Sequence, residues 1–157
     1  MDAITSFAFN LNNGFLITLS RIIDNNIIFL LIIAALIFLT EKRNPKRVKI
    51  FSAIILATVI VIILKSFTAV ERPCASLVLD YCPADYAFPS LHATIAFLLM
   101  ISFLNKRCFW IYMIFAIFVC FTRLVIGVHS FYDIAAALPV ALIVYYFVDV
   151  LWRRLHE

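Results

Sequence analysis

Five long apolar segments, separated by short polar connections, constrain the fold of this chain more than any other feature. They cover residues 25–40, 50–66, 90–104, 109–126 and 131–151. Apolar side chains make up 66% of the 157 residues and charged ones only 14%, whereas a soluble domain is about half apolar and a quarter charged. We therefore predict an all-α, polytopic membrane helix bundle with about five transmembrane helices, forming a single domain over residues 1–157.

Residues 1–24 differ from these segments because polar side chains interrupt them. Their Phe, Leu and Ile residues are mixed with Asn, Ser and Arg21, as is typical of a helix that lies along a membrane surface. We predict an N-terminal interfacial amphipathic helix that does not cross the bilayer. The segment has neither the basic start nor the cleavage site of a secretory signal, so we expect no cleavable signal peptide.

The basic residues predict which helix ends face the cytoplasm. Nine of the thirteen Lys and Arg residues fall within 42–49, 106–107 and 153–154. Because these clusters flank apolar segments, the positive-inside rule explains them better than nucleic-acid binding does. The connection 67–89 and the turn 127–130 then face outward. We predict a multi-pass protein of the plasma or inner membrane, with an extracytoplasmic site and no nucleic-acid partner.

Four polar residues are expected to share one level of the membrane. The interval from Lys49 to Lys65 is 16 positions long, which is about 24 Å of helix. Three later intervals have the same length. The outward ends of the four intervals are Lys65, Ser90, Arg123 and Asp133. This shared level is a candidate site, and the long connection 67–89 is expected to form an ordered cover over it.

Three cations near this level indicate an anionic ligand. Lys65, Arg72 and Arg123 lie where a charge facing lipid is costly. Snorkelling side chains are the alternative, and for Lys65 alone this alternative remains open. The sequence places no matching set of carboxylates beside all three. A phosphate group supplies the missing negative charge, and the planar arginine fork binds it in a bidentate manner.

Ser90 and His92 occupy the predicted start of the third apolar segment. Pro89 followed by Ser90 is typical of a helix N-cap, where free N–H groups and the helix dipole favour an anion. Ser90 could equally be a plain cap, and His92 an interfacial residue. Beside three cations, His92 suits a general acid that protonates a leaving oxygen.

His129 and Asp133 are four positions apart, one helical turn at the start of the last segment. A carboxylate there can hold one imidazole nitrogen and leave the other as a nucleophile. The alternatives are a structural His–Asp pair, or a cap in which Asp133 pairs with Ser130. Gly127 is expected to permit the tight turn before His129.

These residues form three motifs in order: Lys65-x6-Arg72-Pro73, Pro89-Ser90-Leu91-His92, and Thr122-Arg123-x5-His129-x3-Asp133. They resemble the signature of the type 2 phosphatidic acid phosphatase family, which is K-x6-RP, PSGH and SR-x5-H-x3-D. The resemblance covers residues 65–133. Leu91 stands where the pattern has Gly, and it adds bulk and removes backbone freedom at that turn. Thr122 stands where the pattern has Ser and keeps the hydroxyl.

The resemblance implies a phosphohistidine mechanism. His129 attacks phosphorus, Asp133 orients it, and His92 protonates the leaving group. The phosphoryl oxygens are held by Lys65, Arg72, Ser90 and Arg123. These cations take the place of Mg²⁺, so we predict an enzyme with no cofactor and no metal.

A lipid phosphate or diphosphate is the expected substrate, with membrane lipids as the other partners. Undecaprenyl or another polyprenyl diphosphate is preferred, and phosphatidic acid or phosphatidylglycerophosphate is the alternative. A non-enzymatic anion-binding protein or transporter is the alternative of another class. Transporters usually contain a repeat and polar residues at the membrane midplane, whereas this sequence has no evident repeat and its polar residues lie at one end.

The four cysteines and the C-terminal charges are structural candidates. Cys74 and Cys82 lie in the outward connection and either form a disulfide or occur there by chance. Cys108 and Cys120 are expected to be packing residues. Asp149 and Arg153, four positions apart, are expected to form a salt bridge.

Overall fold

The computed structural model describes residues 1–77 and 79–156, and this part of the chain consists of helices joined by turns. Val78 and Glu157, which the predicted single domain includes, lie outside the described residues. In chain order the helices are α1 (Ala3–Asn10), α2 (Gly14–Asp24), α3 (Asn26–Thr40), α4 (Asn44–Thr68), α5 (Pro73–Ser76), α6 (Leu91–Ser102), α7 (Phe109–Val125) and α8 (Phe131–His156). The all-α membrane bundle is confirmed, and the single domain stays a prediction.

All five apolar segments form helices, but their lengths differ from the predicted ones. Among the described residues, α4 and α8 are each long and apolar enough to cross a membrane, and α2 with α3 forms a third candidate span bent by 76°. Helices α6 and α7 are shorter. Helix α4 begins six positions before the predicted residue 50, because Pro45 suits the first turn and Lys and Arg are good helix formers.

The N-terminal segment is two helices, which corrects the single amphipathic helix expected for residues 1–24. Asp2 caps α1 by accepting from Thr5 N at 2.9 Å, and Asn13 caps α2 by accepting from Leu16 N at 2.9 Å. A second N-cap in the middle of the segment starts a new helix. Both helices pack against α7, and Phe131 N donates to Thr5 Oγ1 at 2.8 Å. The segment therefore covers the bundle end where α8 begins.

Helix α6 lies at the centre of the bundle and packs against α4, α7 and α8. Small buried residues line these interfaces, including Ala53 and Ala57 on α4, Ala96 on α6, Ala116 on α7 and Ala141 on α8. Small side chains let helices approach closely, which is the usual way in which membrane helices pack. This packing fixes the start of α6, and with it Ser90 and His92, beside the neighbouring helix ends.

The connection predicted to face outward begins at residue 69, after α4, and is held by a disulfide and by packing. Cys74 and Cys82 form the disulfide that the sequence left open, with their Cα atoms 5.5 Å apart. Cys74 is buried against Ile126 and Val128, which follow α7. The connection therefore packs onto the turn that leads to His129. Cys108 and Cys120 are free and half-buried.

Candidate active site

A cavity of about 260 Å³ lies at the bundle end where α6 and α8 begin. Helices α2, α3, α4 and α6, the outward connection and the turn before α8 all contribute to its wall. The lining residues are Asp24, Asn26, Val61, Ile62, Lys65, Arg72, Pro83, Asp85, Leu91, His92 and His129. Four of the seven predicted site residues, Lys65, Arg72, His92 and His129, thus meet in one space.

Lys65 and Arg72 are buried and share one carboxylate, that of Asp85. Lys65 Nζ donates to Asp85 Oδ2 at 2.5 Å and to Tyr86 O at 2.5 Å. Arg72 Nη2 donates to Asp85 Oδ1 at 2.6 Å, and Arg72 Nε to Asp85 O at 2.9 Å. The expectation that the cations have no neighbouring carboxylates is therefore wrong for this pair. The contact could not be predicted from the sequence, because Asp85 lies in a connection, 20 positions from Lys65 and 13 from Arg72.

Arg123 is paired in the same way, but behind the cavity wall. Its guanidinium, 0% exposed, forms an ion pair with Asp24 and donates to Ser20 O at 3.0 Å. Asp24 lines the cavity, whereas Arg123 does not. Arg123 therefore offsets the negative charge that Asp24 brings to the cavity wall, and it helps to hold α2 against α7. Asp24 was missed from the sequence, where its only signal was an acid at the end of the N-terminal segment.

Arg72 also contacts the predicted nucleophile. Its Nη1 atom donates to Val128 O at 2.9 Å and lies 3.3 Å from His129 Nε2. Because a guanidinium has no acceptor, the contact requires a lone pair on Nε2, and the ring proton then resides on Nδ1. Burial, reinforced by the charges of Arg72 and Lys65, lowers the pKa of His129 to about 4 although Asp133 opposes the shift. His129 is thus a neutral imidazole with an unprotonated Nε2 atom at the cavity.

Asp133 lies behind His129, in the first turn of α8. Its Oδ2 atom accepts from Ser130 N at 2.6 Å and lies 3.7 Å from His129 Nδ1. Ser130 Oγ accepts from Asp133 N at 3.3 Å in return. The predicted cap between Ser130 and Asp133 is therefore present. It leaves Asp133 within a small movement of a hydrogen bond to His129.

Ser90 and His92 begin α6 as expected, but the Ser90 hydroxyl makes no capping bond. Ser90 N donates to Asp133 O at 3.1 Å, which places the starts of α6 and α8 side by side. The His92 ring packs against Phe29 with the ring centroids 4.3 Å apart. Phe29 thus supports one face of His92 while the ring lines the cavity.

Three buried side-chain atoms lack a hydrogen-bond partner among the described residues: Ser90 Oγ, His92 Nε2 and His129 Nδ1. Buried polar groups are nearly always hydrogen-bonded, so such exceptions are informative. All three atoms belong to predicted site residues. His92 and His129 line the cavity, whereas Ser90 does not, and the predicted residue Asp133 does not line it either. The unpartnered atoms leave hydrogen-bonding capacity for a polar ligand.

Leu91 and Gly127 show how the backbone accommodates the site. Leu91, where the family pattern has Gly, lines the cavity and narrows it. Gly127 has φ +67°, and a Cβ atom there would lie 3.1 Å from the ring of Phe9 on α1. The turn before His129 therefore needs glycine both for its left-handed backbone and for the close packing of α1.

An apolar helix bundle with a cationic cavity that holds two histidines at one end is what the three motifs predict for an integral membrane phosphatase, a hydrolase of phosphate esters. The profile of the PAP2 superfamily matches residues 46–156, more than half of the chain. The chain therefore belongs to the PAP2 superfamily, as the three motifs indicated.

Two solved structures share the fold. A transmembrane PAP2 type phosphatidylglycerolphosphate phosphatase from Bacillus subtilis is 18% identical, with a TM-score of 0.69 over 97% of this chain and 84% of that one. LpxE from Aquifex aeolicus is 23% identical, with a TM-score of 0.69 and 92% of each chain covered. No curated protein matches the chain in sequence.

Proposed function

We propose that the chain hydrolyses a lipid phosphate or diphosphate through a phosphohistidine intermediate. The observation that carries this proposal is the convergence of two buried cations and two histidines on one cavity, with the unpartnered Ser90 hydroxyl next to His92 at the start of α6. A phosphoryl group supplies negative charge for the cations and hydrogen-bond acceptors for the polar atoms, since its oxygens accept from Lys65, Arg72 and the Ser90 hydroxyl. Arg123 assists binding of the phosphoryl group indirectly, because it offsets the negative charge of Asp24 in the cavity wall.

The proposed reaction has two steps. In the first, His129 Nε2 attacks phosphorus and the bond to the leaving oxygen breaks, while protonated His92 gives its Nε2 proton to that oxygen and becomes neutral. In the second, water attacks phosphorus and gives a proton to His92, the phosphorus–nitrogen bond to His129 breaks, and inorganic phosphate leaves. Arg72, which already touches His129 Nε2, is placed to stabilise the charge that develops on the phosphoryl oxygens.

The lipid nature of the substrate is supported by the cavity wall. Ile62 lines the cavity and is 54% exposed on the outside of α4. The cavity therefore borders the lipid-facing surface, where a phosphate can enter sideways while its tail stays in the bilayer. The Cys74–Cys82 disulfide and the basic opposite ends of the helices support an extracytoplasmic site in the cell membrane.

Two substrate classes remain. We prefer undecaprenyl or another polyprenyl diphosphate. Phosphatidic acid or phosphatidylglycerophosphate is the alternative. A structural neighbour that is a phosphatidylglycerolphosphate phosphatase gives phosphatidylglycerophosphate as much support as the preferred class has. The cavity volume of about 260 Å³ accommodates a phosphorylated head group of either class.

Phosphate release by the purified protein tests the proposal. We expect turnover of at least one member of a panel containing polyprenyl diphosphate, phosphatidylglycerophosphate and phosphatidic acid, in excess EDTA. Vanadate, which mimics the pentacoordinate phosphoryl group, is expected to inhibit. Strict dependence on an added divalent metal contradicts the metal-free mechanism. Inactivity on every lipid, with no effect of vanadate on thermal stability, favours the anion-binding or transport alternative.

Asp85→Asn is expected to tighten inhibition by vanadate and inorganic phosphate. Partial burial raises the pKa of Asp85, but the hydrogen bond from Lys65 and the charge of Arg72 outweigh it and hold that pKa below its usual range. Asp85 is therefore ionised at neutral pH and competes with any phosphate for both cations. Because its side chain is 56% exposed, removing this competition is expected to lower the inhibition constants on the order of five-fold, or about 1 kcal/mol.

Asp80→Asn is the matched control for this change. Asp80 is an exposed aspartate of the same connection, so its replacement changes the net charge equally. We expect its inhibition constants to match those of the wild type. Weaker binding of vanadate by Asp85→Asn shows instead that Asp85 positions the cations for phosphate.

A further inference from the structure

A second cavity, of about 300 Å³, lies at the opposite end of the bundle. Lys46 of α4 lines this cavity and Lys65 lines the first one. The two residues are 19 positions apart, about 28 Å along the helix axis. The second cavity is therefore separate from the candidate active site.

Three cations from different parts of the chain meet at this cavity: Lys46, Lys106 after α6, and Arg153 on α8. The only carboxylate among the lining residues, Asp149, is already paired with Lys49 and Arg153. Lys46 and Lys106 line the same cavity, and its lining residues offer neither of them a free carboxylate. Two like charges at one cavity indicate a place for an anion.

The remaining wall suits the head group of a lipid. Asn105 and Tyr145 provide an amide and a hydroxyl for hydrogen bonds. Leu104 lines the cavity and is 58% exposed, so an apolar surface adjoins the cationic one. Anionic lipid head groups bind in basic pockets of this kind between transmembrane helices.

We propose that this pocket binds the phosphate head group of an anionic membrane phospholipid that is not a substrate. Its phosphate lies between Lys46, Lys106 and Arg153, and its acyl chains leave past Leu104 along the bundle surface. The bound lipid offsets the repulsion between Lys46 and Lys106, and it joins the ends of α4, α6 and α8. This inference is independent of the chemistry at the first cavity.

Thermal stability of the purified protein in neutral detergent tests the proposal. Short-chain phosphatidylglycerol is titrated, with short-chain phosphatidylcholine as the uncharged reference. We expect phosphatidylglycerol to raise the melting temperature of the wild type, and K46Q/K106Q to need roughly ten-fold more of it. The matched control is K42Q/R107Q, which removes two exposed basic residues near Lys46 and Lys106 in sequence that do not line the pocket.

The comparison between the two double variants decides the outcome. Both double variants keep the first cavity, so lipid binding there does not affect the difference between their phosphatidylglycerol titrations. Equal losses in K46Q/K106Q and K42Q/R107Q overturn the proposal in favour of a general surface attraction. If inorganic phosphate stabilises the wild type over K46Q/K106Q as strongly as the lipid does, the ligand is free phosphate and the lipid assignment is wrong.

A second measurement needs no variant. A photoreactive phosphatidylglycerol crosslinked to the wild type is expected to label peptides containing residues 101–106 or 145–153, and excess phosphatidylglycerol should suppress the label while phosphatidylcholine should not. Labelling spread evenly over the helices contradicts a defined pocket, even if K46Q/K106Q fails to fold.

Discussion

His129→Ala is expected to reduce kcat by at least about 10⁴-fold, because it removes the atom that forms the bond to phosphorus. Nothing else among the described residues at the cavity replaces it: His92 is held against Phe29, and its free nitrogen serves the leaving group in the proposed reaction. The measurement is phosphate release in a single-turnover assay with the lipid that the wild type hydrolyses best. The variant is expected to keep binding vanadate, since Lys65 and Arg72 remain.

His92→Ala is the matched control for this loss. Removing a general acid costs about 10²- to 10⁴-fold with a poor leaving group such as a lipid alcohol. A substrate with an acidic leaving group, such as p-nitrophenyl phosphate, needs no protonation and should recover most of the lost rate. The same substrate should not rescue His129→Ala. Equal rescue of both variants shows that the two histidines share one role, and activity of His129→Ala within ten-fold of the wild type rules out the phosphohistidine.

The helices could be predicted from the sequence because their signals are local. Apolar runs bounded by basic residues indicated α3, α4, α6, α7 and α8 close to where they occur. The division of residues 1–24 into α1 and α2 depends on the side chain of Asn13, whose capping role is visible only with its partner Leu16 N. Helix starts and ends are decided by such single contacts, which a pattern of apolar residues does not register.

The site could be predicted only as far as its residues belong to motifs. Lys65, Arg72, His92 and His129 were predicted together and do meet at one cavity. Asp85 and Asp24, which hold the cations, were missed because each lies far along the chain from its partner: Asp24 and Arg123 are 99 positions apart. A contact of this range depends on how the elements pack, and a single sequence does not state it.

The missed carboxylates alter the physical account of the cations. The sequence suggested three unpaired positive charges awaiting a phosphate, which would be costly in the absence of substrate. Asp85 instead pairs with both Lys65 and Arg72 from an exposed position on the connection and offsets one of their two positive charges. In the proposed reaction the substrate phosphate therefore competes with this carboxylate for both cations.

Asp133→Asn is expected to lower kcat by about 10²- to 10⁴-fold while leaving the fold intact. An asparagine oxygen can still accept from Ser130 N, so the cap that begins α8 is preserved. The same oxygen position lies 3.7 Å from His129 Nδ1 in the present carboxylate, so the imidazole keeps its orientation. The neutral amide lacks the negative charge that stabilises the imidazolium formed when His129 Nε2 attacks phosphorus, and kcat is expected to fall for this reason.

Ser130→Ala separates catalysis from capping in the same turn. It removes only the hydroxyl that accepts from Asp133 N at 3.3 Å, so a loss of about 1 kcal/mol in stability and little change in kcat is expected. The measurements are kcat and melting temperature for both variants with the preferred lipid. If Asp133→Asn retains kcat within a few-fold while Ser130→Ala and Asp133→Asn lower the melting temperature alike, Asp133 is a helix cap and His129 is oriented by Arg72 alone. If only Asp133→Asn loses turnover, the negative charge of the Asp133 carboxylate supports attack by His129, and the short movement that closes the 3.7 Å gap belongs to the bound state.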